Sequence, residues 1–243
     1  MMRLLRVIGL AAAIGALAAG CSSSSSPSSN SGASNGVAGE SASAILTAAV
    51  NAVKSAKSVT LNGTIPSGGP AVRVDHGTYF SSGDGKATIV IGGYPLQVVK
   101  IGATDYINAP AGFWSSHGVP AADAAKVSGV WVILPDSTVK IGSALTLSAL
   151  AGHLRTTGKV TKGGTSTVLG QPVIALITPQ HDTIYVATAG TPYPVEVVKG
   201  STGHVLTLTS WNQGSEPTPP AGAKTLAQLG LGGPSGSSGT SGT

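Results

Sequence analysis

Over 41–57 apolar residues return every third or fourth position, with Ile45, Ala49, Ala52 and Ala56 along one line and Leu46, Val50 and Val53 beside it. That spacing predicts an amphipathic helix with one face on a core. Ser41 or Ser43 is placed to cap its start, and Lys54 and Lys57 oppose the negative end of the dipole in the last turns. At Ser58 the period drops to two. Val59, Leu61, Gly63 and Ile65 then alternate with polar neighbours, as on a strand with one buried face. Further strands are predicted over 71–80, 86–91, 96–101 and 105–108, with turns at 81–85 and at Gly92-Gly93. A two-residue Gly-Gly link suits a primed turn, which needs positive φ.

The strand signal lapses over 109–129, an irregular stretch that contains Phe113-Trp114. Within it Pro120 to Val127 predicts a short helix with proline in the first turn. Strand character returns over 131–134 and ends at Pro135, and the stripe Leu145, Leu147, Leu150 and Leu154 predicts a helix over 145–155. A second series of strands follows over 158–162, 166–169, 171–178, 182–187, 194–199 and 204–211. Its turns fall at Gly163-Gly164, Leu169-Gly170, Gly190 and 200–203. No stretch repeats with the 20–50 residue period of solenoids or propellers.

The ends read differently from the middle. Arg3 and Arg6 precede an apolar run over 4–19 without an acidic residue, and small residues lead to Cys21, so 1–20 reads as a secretory signal peptide. The run is too short and too rich in Ala and Gly to span a membrane as about 20 strongly apolar residues would. Leu17-Ala18-Ala19-Gly20-Cys21 resembles the bacterial lipobox, whose cysteine thiol receives a diacylglyceryl group and becomes the new N-terminus. The usual leucine, three residues before the cysteine, is Ala18 here. Lipid attachment at Cys21 places the chain on the extracytoplasmic face of the cell membrane; the plainer reading is a free cysteine after an ordinary signal peptide. The stretch 21–39 then reads as the modified cysteine and a Ser/Gly-rich tether with a span of roughly 23 Å. The folded domain occupies 40–214, and a Pro/Gly/Ser-rich tail expected to be disordered occupies 215–243, with packing of a short helical turn on the domain through Leu226 and Leu229 as the lesser alternative.

Composition narrows the function. Removal of Arg3 and Arg6 from 14 basic residues leaves 12 against 9 acidic ones, a net charge of +3 for the processed chain. The basic residues are scattered and not interleaved with aromatics, which argues against nucleic acid as a partner. Cys21 is the one cysteine, so once it is modified no disulfide or thiolate metal site is available. No Gly-x-Ser-x-Gly, Ser-x-x-Lys, His-Glu-x-x-His or phosphate loop occurs. His76, His117, His153, His181 and His204 are isolated from one another, and acids such as Asp84, Asp123 and Asp136 have the settings of turn and cap residues. These observations point to a protein that is not an enzyme, with no catalytic residues, no metal and no cofactor.

Several features together resemble one family. They are the lipobox and Ser-rich tether, the helix with Lys54 and Lys57, Gly92-Gly93, Ala109-Pro110-Ala111-Gly112-Phe113-Trp114, and Gly129-Val130-Trp131-Val132. The segments 164–173 (GTSTVLGQPV), Tyr185-Val186-Ala187-Thr188 and Pro192-Tyr193-Pro194 complete the set. Over 42–211 the chain is similar to actinobacterial lipoproteins of the LppX/LprA/LprF/LprG kind. The resemblance implies an α+β fold in which a curved antiparallel sheet, a half-barrel, packs on a few helices around an apolar cavity, as in the LolA/LolB-type lipoprotein carriers. It also implies binding of an acylated lipid or glycolipid and its movement through the envelope.

The residues permit two readings of such a sheet. Its concave face, lined by Val, Ile, Leu and Ala, either holds acyl chains or closes into a dry core. Candidate wall positions are Ile91, Leu96, Val98, Trp131, Leu147, Leu150 and Leu154, and Phe113 and Trp114 are candidates for the mouth. For Trp131 core packing is the competing role, and for Phe113-Trp114 anchoring of the loop. With a closed core the chain becomes a non-catalytic envelope scaffold or interaction module. A third option is a hydrolase assembled from distant loops.

Overall fold

The change of period at Ser58 marks the point where a helix gives way to a sheet that takes up most of the domain. The computed structural model describes residues 33–65, 72–135 and 146–231. The expected signal peptide over 1–20, Cys21, most of the expected tether and residues 232–243 lie outside the described residues. Helix α1 runs Ala42–Ser55 and is capped by Ser41, whose hydroxyl accepts the Ala44 N–H at 3.2 Å. Its buried face is Ile45, Ala49, Val50, Ala52 and Val53. Each fully buried Val or Ile contributes about 1.5–3 kcal/mol, so the face outweighs the cap, worth about 1 kcal/mol.

The strands are β1 Ser58–Ile65, β2 Val72–Phe80, β3 Gly85–Ile91, β4 Tyr94–Ile101, β5 Thr104–Asn108 and β6 Val132–Pro135, then β7 Thr161–Val168, β8 Gln171–Ile177, β9 Thr183–Ala187, β10 Pro194–Val198, β11 Val205–Thr209 and β12 Lys224–Thr225. They form one open, curved sheet in the order β12-β6-β5-β4-β3-β2-β1-β11-β10-β9-β8-β7. The fold is thus an α+β half-barrel. Two antiparallel meanders, β1 to β6 and β7 to β11, meet where β1 pairs with β11, with Leu61 opposite Leu208. Only β12, parallel to β6, departs from the antiparallel pattern.

Helices α2 Ala111–Ser116, α3 Ala121–Val127 and α4 Leu147–His153 complete the set among the described residues. The inward side chains of both meanders and the buried faces of all four helices form one apolar cluster, including Val59, Ile89, Leu96, Leu176, Val53 and Leu150. On the opposite face of β8 to β10, Val173, Ala187 and Val195 make a second, smaller one.

Four expectations need correction. The 109–119 stretch is not irregular: Ala111–Ser116 is helical, and Trp114 within it donates its indole N–H to the Ala109 carbonyl at 3.3 Å. Gly163-Gly164 is no turn, because β7 runs through it and absorbs the pair as a register shift against β8 between Lys162 and Thr165. The tether expected to reach 39 is already docked at Ser34, which bridges to Ala189, while the Asn35 amide donates to the carbonyls of Ala187 and Gly190, both at 3.0 Å. At the other end, the tail expected from 215 carries β12 and a 3₁₀ turn at Ala227–Leu229. Leu226, Leu229 and Leu231 pack against the core and supply the apolar surface that the surrounding Gly and Pro lack.

Candidate functional site

The chain of inward residues on β1 leads to the site. Val59, Leu61 and Ile65 lie on its concave side, and all three line a cavity of about 380 Å³. Opposite them α4 supplies Leu150, and Leu154 follows at its end; Ile184, Val197 and Leu206 from β9, β10 and β11 complete an apolar wall. The helix stands over the sheet because Leu147, Leu150 and Ala151 bury one side of it, with the Thr146 hydroxyl accepting the Ala149 N–H at 3.1 Å as its cap. Val59 and Ile65 lie six steps apart on β1, roughly 20 Å at the strand rise of about 3.3 Å, and both line the cavity.

One end of this wall is polar. The segment 154–157, where the chain leaves α4, faces the turn 178–182 between β8 and β9. The Thr156 hydroxyl donates to Gln180 Oε1 at 2.9 Å, and a side chain on Gly158 would meet Pro179 Cγ at 3.0 Å, so the two segments are tied and closely packed. The turn is held from within by the Thr178 hydroxyl, which accepts the Asp182 N–H at 3.1 Å. Asp182 in turn forms an ion pair with Lys199 and accepts the Gly200 N–H at 3.0 Å. Only glycine fits at 200, since a Cβ there would lie 2.8 Å from that of His181. Arg155 and His153 lie exposed on the same rim.

At the other end of β1 the ring of Tyr79 forms part of the wall. Its hydroxyl is buried and has no hydrogen-bond partner, and burial raises its ionisation well above the ordinary phenol range.

Of the residues singled out from sequence, Leu150 and Leu154 line the cavity. Leu147 is buried one turn earlier on α4, in the core. Leu96 and Val98 are fully buried on β4 and Ile91 is half-buried on β3, all in the part of the sheet away from the cavity lining. Helix α2 fills that part. Phe113 and Trp114 are buried with ring centroids 5.4 Å apart, and Phe113 meets Tyr94 edge-on at 6.5 Å. They are buried core residues of α2 and are not among the residues that line this cavity. Trp131 is half-buried just before β6, and its carbonyl accepts the Lys224 N–H at 2.9 Å, which starts β12. The polar rim, with Arg155, Asp182 and Lys199, was not singled out from sequence.

Among the described residues no three His, Cys, Asp or Glu side chains approach closely enough to hold a metal. No helix among them is long and apolar enough to cross a membrane.

No family model matches the chain, and no curated protein matches it. Among solved structures it is similar to LprF from Mycobacterium bovis, with 18% identity over 73% of this chain and 96% of that one and a TM-score of 0.45. It is also similar to the lipoprotein LppX of Mycobacterium tuberculosis, with 13% identity over 72% of this chain and 97% of that one and a TM-score of 0.47.

Proposed function

We propose that this protein is a membrane-anchored lipoprotein of the cell envelope that binds an acylated lipid or glycolipid in the cavity between β1 and α4 and moves it through the envelope. The observation that carries the reading is that cavity: about 380 Å³, walled by Val, Leu and Ile along its length and polar at one end. Its volume falls within the range of roughly 300–1,000 Å³ typical of small-molecule sites. An acyl chain leaving water for such a wall gains about 0.8 kcal/mol per methylene, without directional bonds. Binding is then partition and shielding, and no covalent step is involved.

The lipobox supplies the anchor. Acylation of Cys21 holds the chain at the extracytoplasmic face of the membrane, since two or more acyl chains anchor stably where one alone does not. Anchor and cargo then share one solvent, the bilayer.

Native mass spectrometry of the protein extracted from its own cells tests the reading. The expected spectrum shows a co-purifying acyl lipid that leaves on activation. Protein that is free of lipid in every preparation overturns the proposal and favours an envelope scaffold.

A further inference from the structure

The cavity's polar end is also its charged end. Of the residues that line the cavity, Arg155 and Lys199 are cations and Asp182 is the one carboxylate. Asp182 is committed twice within the protein, to the Lys199 ammonium and to the Gly200 N–H. Arg155 has no carboxylate partner among the described residues. Arg155, Lys199 and Asp182 therefore sum to a formal charge of +1, and the surplus sits on a guanidinium whose planar fork of donors matches a carboxylate or phosphate.

Its position is built. The Thr156–Gln180 hydrogen bond ties the residue after Arg155 to the turn that carries Asp182, and Asp182 pairs with Lys199, which directly follows β10. Immediately before Arg155, Leu154 is buried against the apolar wall, 3% exposed. One backbone step thus separates the hydrocarbon lining from a cation that has no carboxylate partner among the described residues.

We infer that the cavity selects amphiphiles with an anionic head group, carboxylate or phosphate, whose chain lies along β1 while the head pairs with Arg155 at the rim, Lys199 adding a second donor. This rests on the lipid-binding reading above and narrows it to one chemical class. Because Arg155 is exposed, salt weakens the contact, with a Debye length of about 8 Å at physiological ionic strength.

The test uses the full-length protein, purified and stripped of lipid, carrying a fluorescent fatty-chain probe that competitors displace. Laurate, dodecyl phosphate and dodecanol share a chain length and differ in head charge; acetate and inorganic phosphate carry the charge without the chain. Laurate and dodecyl phosphate are expected to compete about tenfold better than dodecanol, an advantage that shrinks with added salt. Arg155→Ala is expected to bring laurate and dodecyl phosphate down to the level of dodecanol, while Arg155→Lys keeps part of the advantage. Equal competition by all three in the wild type overturns the inference, as does an Arg155→Ala variant that weakens all three alike. Acetate or phosphate competing as well as laurate overturns it in favour of a free-anion site. If dodecanol binds without any preference for the anions, only this inference fails; if none of the amphiphiles binds, the lipid-binding reading fails with it.

Discussion

The Tyr79 ring occupies the space that a side chain on Gly77 would need: a Cβ on Gly77 would lie 2.8 Å from Tyr79 Cζ. Gly85, the cross-strand partner of Tyr79, is missing a side chain for the same reason, with Tyr79 Cδ1 2.9 Å from the position of its Cβ. Two glycines on β2 and β3 thus let a large ring lie along the sheet and form cavity wall instead of filling the cavity. Gly77→Ala forces the ring, 2% exposed, from its place. We expect the overpacking to cost about 1–3 kcal/mol, seen as a lower urea midpoint with an unchanged slope. A midpoint equal to that of the wild type would show that the ring has another place to go.

Filling the cavity separates binding from folding. Val197 lines it from β10 and is half-buried, so Val197→Phe directs added volume into open space and not into the packed core. The variant is expected to keep its circular dichroism and to lose most co-purifying lipid in native mass spectra. Retention of the same lipid at the same occupancy would place the ligand elsewhere.

In the proposed function attachment depends on Cys21. Cys21→Ala would remove the proposed acylation site and is expected to move the protein from the membrane fraction to the soluble one on fractionation of its cells. A variant that stays with the membrane would show that the lipobox reading is mistaken.

How much of this was legible beforehand depended on what each feature needed. The helix at 42–55 and most strands follow from local periodicity, and the change of period at Ser58 marks the helix-to-sheet boundary within two residues. Helix α2 was missed because six residues, AGFWSS, are too few to show a period, and it is the burial of Phe113 and Trp114 that holds it. The Gly163-Gly164 pair has the composition of a turn, yet no sequence rule says whether the partner strand continues past it; β8 does, and the pair becomes a bulge.

The wall residues show the same limit at the site. Alternation identifies which side chains face inward, so Leu96 and Val98 were reasonable candidates alongside Leu150 and Leu154. It does not identify which inward region another element fills. That is decided by α2, which packs Phe113 against Tyr94 at the start of β4, and by the glycines around Tyr79, which leave room on the β1 side. The rim escaped notice because Arg155, Asp182 and Lys199 are far apart in sequence and come together only where α4 ends over the β8–β9 turn.

The unpaired Tyr79 hydroxyl makes a prediction about pH. A buried polar group without a partner costs about 1–3 kcal/mol, so Tyr79→Phe, which keeps the ring, is expected to raise stability by about 1 kcal/mol at neutral pH. Burial also holds the phenol protonated in the folded state at pH values where the unfolded chain, with an ordinary value near 10, has lost that proton. The unfolded state then binds fewer protons than the folded one, and the slope of unfolding free energy with pH is negative. This group's contribution is therefore intact below about pH 10 and falls by about 1.4 kcal/mol for each pH unit above it, up to the raised folded value. Urea denaturation at pH 9, 10 and 11 on wild type and Tyr79→Phe separates this slope from that of the other tyrosines. The gap between the two proteins should widen with pH in favour of the variant. Parallel curves would mean that the hydroxyl finds a partner, such as a water held in the cavity, and titrates as an ordinary phenol.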